Sequence, residues 1–221
     1  MTEPSELRAR ILEAARREPS PTRSQATTRI ALIIAVALVV DVALFFLFGG
    51  AHRGERPLPF LVGTLAGSLA VALAAAWGAF ARGRSMLGRS PRWLVAIAIG
   101  TPILLMAWMR VWNALYPDTT LALSGRIGVR CFAFSLALGV WPLALLLRSC
   151  RERNPVAPGV AGAARGVAVG ALAWVMVTLW CPLANTPHVA VGHLLPLFIL
   201  SILGGWLGQR LTAVAGDLRG T

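Results

Sequence analysis

Residues 30–49 read IALIIAVALVVDVALFFLFG, twenty residues with a single charge, Asp41. A helix rises about 1.5 Å per residue, so such a run covers the roughly 30 Å hydrocarbon core of a bilayer. A helix that is apolar on all sides belongs in lipid or at the centre of a large core. Five more runs of this kind follow, at about 59–81, 93–115, 127–147, 161–182 and 194–211, with short loops between them. Of the 221 residues 57% are hydrophobic and 14% charged, where a soluble domain carries about 25% charged residues. The pattern predicts an all-α fold, a six-transmembrane-helix bundle. Residues 1–29 form a first tail, 30–211 the membrane domain and 212–221 a second, shorter tail.

The net charge of +12 comes from 21 basic residues, all arginine. A nucleic-acid-binding face would cluster them; here they occupy alternate gaps between the apolar runs. Arg8, Arg10, Arg16, Arg17, Arg23 and Arg29 precede the first run, and Arg82, Arg84, Arg89 and Arg92 follow the second. Arg148, Arg151, Arg153 and Arg165 follow the fourth, and Arg210 and Arg219 close the sixth. That is 16 of the 21; Arg53, Arg56, Arg110, Arg126 and Arg130 fall to the other side. Basic residues collect in cytoplasmic loops. Both ends of the chain are therefore expected in the cytoplasm, with the bundle in a bacterial inner membrane and no direct contact with nucleic acid. No cleavable signal peptide is evident, because the first run has full span length and no small-residue cleavage site follows it.

Residues 4–18 predict a short amphipathic helix. Ser5 can cap it, and Glu6 suits the positive end of its dipole. Leu7, Ile11, Leu12, Ala14 and Ala15 fall on one side; Arg8, Arg10, Glu13, Arg16 and Arg17 lie mostly elsewhere. Pro19 and Pro21 end it. So short a helix is marginal alone in water and needs a surface, either anionic lipid or the groove of a cytoplasmic protein.

Inside the bundle, Gly63/Gly67, Gly162/Gly166/Gly170 and Gly204/Gly208 repeat at four-residue spacing. Such spacing lets helix backbones approach closely and is compatible with a homodimer. Trp93, Trp108, Trp112 and Trp180 fall near span ends, where an aromatic belt belongs. Pro102, Pro142 and Pro196 read as ordinary membrane-helix prolines.

Two groups of residues could carry chemistry. Asp41 sits near the middle of the first span, where a carboxylate must find a partner or a proton. Arg110 and Arg130 are the partners the sequence offers, and such intramembrane charges can mark a transport path. The second group is Cys181, His188 and His193 around the fifth loop, with Cys131 near the outer end of the fourth span. Thiolates and imidazoles bind zinc or copper, although this spacing matches no standard zinc motif. The bland alternative is a buried thiol with interfacial histidines. His52 lies in the first outer loop, and Cys150 is expected on the opposite side. No Gly-x-Ser-x-Gly, His-Glu-x-x-His or P-loop is present, so no enzyme is expected.

The opening Leu7-Arg8-Ala9-Arg10-Ile11-Leu12-Glu13-Ala14-Ala15-Arg16-Arg17-Glu18-Pro19-Ser20-Pro21-Thr22-Arg23, together with Cys181-Pro182 followed by His188 and His193, resembles NrsF-type anti-sigma factors. The build is also similar to that of CarR-type anti-sigma factors of myxobacteria. The resemblance implies that the cytoplasmic tail holds an extracytoplasmic-function sigma factor at the inner membrane. Leu7, Ile11 and Leu12 would bury against it, and Arg8, Arg16 and Arg17 would set register by charge. Cys181, His188, His193 and Cys131 then become the candidate metal or sensing site. The tail has neither histidine nor cysteine, so any metal switch is expected on the outer side. The other readings are a small transporter using Asp41 and a metal-binding membrane protein of other purpose.

Overall fold

The computed structural model describes residues 23–51, 56–80, 89–117, 128–150, 157–181, 183 and 185–217. The helix expected over 4–18, with Leu7, Arg8, Ile11, Leu12, Arg16 and Arg17, lies outside the described residues, as does His52. The elements are α1 (Arg23–Leu47), α2 (Leu58–Phe80), α3 (Pro91–Leu115), α4 (Val129–Cys150) and α5 (Pro158–Trp180), then a short α6 (Thr186–Val189), a π-turn (Ala190–Leu194) and α7 (Leu195–Asp217). No strand occurs among the described residues. Among the described residues, six helical segments are long and apolar enough to cross a membrane. The last of them begins at Thr186, eight residues before the sequence-based boundary at 194, and α7 continues past 211 to Asp217.

The small-residue spacing sets the layout. Along α5, a Cβ added to Gly162 would strike the backbone of Gly204, and one added to Gly166 the backbone of Leu200. Gly170 faces Leu197. The order 162, 166, 170 against 204, 200, 197 makes α5 and α7 antiparallel with their backbones in contact. α5 is the central helix, 72% of its most apolar window being buried, while α1 is the most peripheral at 17%. The core gathers Phe60, Leu105, Met109, Val167, Trp174, Val189 and Leu197 around α5.

Gly63 and Gly67 serve the α2–α3 contact. Trp112 lies over Gly63 and Trp108 over Gly67, and Trp108 Nε1 donates to the Gly63 carbonyl at 3.0 Å. These two tryptophans therefore act as wedges between helices. Trp93 is half exposed, as a belt residue would be. The glycine pairs that suggested a dimer are used within one chain. Arg165, counted with the fourth loop by sequence, is buried inside α5.

Candidate metal centre

Four side chains from four places in the chain converge at one end of the bundle. Cys131 comes from the first turn of α4, Cys181 from the residue after α5, His188 from α6 and His193 from the π-turn. All four are buried, and their ligand atoms lie within 4.8 Å of one another. His188 Nε2 is 3.1 Å from Cys181 Sγ and 3.3 Å from Cys131 Sγ. The His188 and His193 rings meet edge to face with centroids 5.7 Å apart.

The two histidines are five residues apart, which on an α-helix separates them by about 140° around the axis. The π-turn removes that separation: the Leu195 N–H bonds the Ala190 carbonyl, and i→i+5 bonding brings residues five apart onto one face. Pro196 supports this geometry. It has no N–H to give the carbonyl four residues back, which is that of Gly192. The Gly192 carbonyl instead accepts from Ser135 Oγ on α4, at 3.2 Å.

The same contact delivers Cys131. Gly128 takes a φ of +67°, and a Cβ there would press on the Gly192 backbone and the His188 carbonyl. A Cβ on Gly192 would in turn press on Cys131 Cβ at 3.0 Å. Two glycines thus let α4 start directly against the π-turn. At the other end of the short helix, the Asn185 side chain caps α6 by accepting from the His188 N–H at 3.0 Å. Arg110 on α3 donates to Thr186 Oγ1 at 2.8 Å.

His193 is 2% exposed, and neither of its ring nitrogens has a hydrogen-bond partner. A buried imidazole without partners loses its hydration for nothing in return. A metal ion between the four side chains would satisfy it. Tetrahedral zinc, with bonds of about 2.3 Å to sulfur and 2.0–2.1 Å to nitrogen, sets its ligand atoms ~3.3–3.8 Å apart. The sulfur–nitrogen separations of 3.1 and 3.3 Å are close to that, and the widest separation, 4.8 Å, needs to close by about 1 Å. Two thiolates also suit monovalent copper. Four protein ligands complete a tetrahedral shell, whereas catalytic zinc sites keep one position open.

Asp41 does not join this group or the two arginines. Its carboxylate accepts from Trp141 Nε1 on α4 at 3.1 Å. α1 packs chiefly along α4, so Asp41 faces that helix, while Arg110 on α3 is engaged by Thr186. Arg130 points outward beside Cys131. The paired charges expected from the sequence are therefore not assembled.

The fold and site define a class: a bundle of six span-length helices that gathers two cysteines and two histidines at one end. Residues 14–213 match the family described as "Negative regulator of sigma F" (NrsF), and the chain belongs to that family. It is similar to the probable anti-sigma-F factor NrsF of Azospira oryzae, 31% identical over 127 residues, which are 56% of this chain and 59% of that one. It is also similar to the anti-sigma-F factor NrsF of Caulobacter vibrioides, 35% identical over 81 residues, 37% of this chain and 38% of that one. The chain thus spans less than two thirds of the length of either relative. No solved structure matches it.

Proposed function

We propose that this protein is an anti-sigma factor that holds an extracytoplasmic-function sigma factor at the bacterial inner membrane and releases it when the Cys131, Cys181, His188 and His193 centre changes state. Family membership over residues 14–213 supports the regulatory role. The six span-length helices support residence in the bilayer, and the arginine distribution supports cytoplasmic ends. Leu7, Arg8, Ile11, Leu12, Arg16 and Arg17 are the residues we assign to sigma binding, on an amphipathic helix of the first tail.

The single observation that carries the sensing role is the buried four-residue cluster with an unpartnered His193. Zinc or copper is its proposed occupant. Two of its ligands, Cys131 and Cys181, come from different elements, so occupancy ties α4 to the end of α5. A ligand that binds one arrangement of these helices better than another shifts the protein between them.

Deleting the gene from its host tests the role. Transcription from the promoters of one sigma factor should rise, and a wild-type copy should silence them again. Copies carrying Cys181→Ser or His193→Ala should silence them too but ignore added zinc or copper salts. Unchanged transcription on deletion would refute the anti-sigma reading; a normal metal response from both variants would refute the sensing assignment.

A further inference from the structure

α1 is the helix that continues directly from the first tail, and it is also the most peripheral, lying chiefly on α4. Three contacts hold it there. Near the tail, Ile30 is buried with Leu143, Leu146 and Leu147 of α4. Three quarters of the way along, Asp41 accepts from Trp141. At the far end, Phe45 is buried in one cluster with Cys131, Phe134, Leu138 and Cys181, and the Phe48 ring lies 5.2 Å from that of Phe134. The Phe48 carbonyl accepts from Trp180 Nε1, the residue before Cys181, at 2.9 Å. One end of α1 therefore packs around the two cysteines of the centre, and the other carries the tail. At 25 residues and ~1.5 Å each, the helix spans the distance between them as one rigid element.

The two kinds of contact differ in strictness. Apolar contacts are non-directional, whereas a carboxylate in an apolar surrounding needs its donor. The Asp41–Trp141 hydrogen bond adds a directional contact between α1 and α4. From this we infer that α1 transmits the state of the metal centre to the tail, with the Asp41–Trp141 hydrogen bond as the pin that keeps it in the sequestering position. This rests on the anti-sigma reading above. A change in the packing around Cys131 and Cys181 moves Phe45 and Phe48, and α1 pivots about the pin. Asp41 and Trp141 are positioning residues that touch neither metal nor sigma factor.

The test uses full-length protein in its host, with a sigma-dependent reporter, an immunoblot of the membrane fraction and zinc content of the purified protein. Trp141→Phe keeps an aromatic ring but removes the donor; Asp41→Leu removes the acceptor; Asp41→Asn keeps an amide oxygen for Trp141. Trp141→Phe and Asp41→Leu should each raise uninduced reporter output at least fivefold at normal protein level and zinc content. The double variant should be no worse than either single one, and Asp41→Asn should stay near wild type. If Asp41→Leu fails to accumulate, the comparison of Trp141→Phe with Asp41→Asn decides. Wild-type output and induction from Trp141→Phe, or equal loss in Trp141→Phe and Asp41→Asn, would overturn the inference. Failure of the anti-sigma reading itself looks different: the wild-type protein would then not silence the reporter.

Discussion

At the scale of single residues, the Cys/His cluster depends on residues outside it. Gly128 and Gly192 let α4 start against the π-turn, Ser135 occupies the carbonyl that Pro196 leaves free, and Asn185 caps the His188 helix. Supporting groups of this kind typically tune metal affinity 10–100-fold. Gly128→Ala is expected to weaken zinc binding by roughly that factor in a chelator competition, since it adds a Cβ both at positive φ and against backbone. Asn185→Ala removes a cap worth ~1 kcal/mol and should cost about fivefold. Zinc affinity should fall as pH falls, because each thiol must shed its proton to bind; the same titration at pH 6 and pH 8 checks the sign, and a flat profile would argue against thiolate ligation. The four candidate ligands, two cysteines and two histidines, were legible in the sequence as chemistry, but their geometry was not. The i, i+5 spacing of His188 and His193 points to opposite faces on an α-helix, and only the π-turn reverses that. Gly192 and Pro196 flanking His193 were the available hint, and sequence reasoning set the proline aside as ordinary.

At the scale of elements, the length and apolarity that lipid demands are local properties, which is why six helices could be drawn from composition alone. The start of the last one was missed because its first turn is polar. Asn185-Thr186-Pro187 carries a cap and an early proline, a recognisable helix start that the Cys/His loop reading passed over. The roles of Trp108 and Trp112 depend on which helix packs beside α3, a tertiary fact that no local pattern holds, and so does the choice of Trp141 over an arginine for Asp41. The antiparallel α5–α7 contact yields a graded expectation. Gly166→Val pushes side-chain atoms into the Leu200 backbone and should destabilise the bundle by about 1–3 kcal/mol, the usual cost of overpacking. Gly100→Ala on α3 meets open space and should be neutral or stabilising by up to ~1 kcal/mol. Thermal unfolding of the two variants in the same detergent orders them; equal melting temperatures would show that α5 and α7 do not touch through their backbones.

At the scale of the whole molecule, the alternation of six span-length helices puts Arg23 and Asp217 at the end of the bundle away from the Cys/His cluster. The topology is checked by alkaline phosphatase and green fluorescent protein fused at residue 221: fluorescence without phosphatase activity is expected, and the reverse pattern would invert the chain and strand the tail outside. Under the proposed function, the protein captures a sigma factor through its first tail. That capture is tested most directly by solubilising the full-length protein from its own host in mild detergent, capturing it, and identifying what comes with it, beside a version lacking residues 1–22. The expected result is one extracytoplasmic-function sigma factor in stoichiometric amount with the full chain and none with the shortened one. Absence of any sigma factor from the full chain, or its equal recovery without the tail, would contradict the claim.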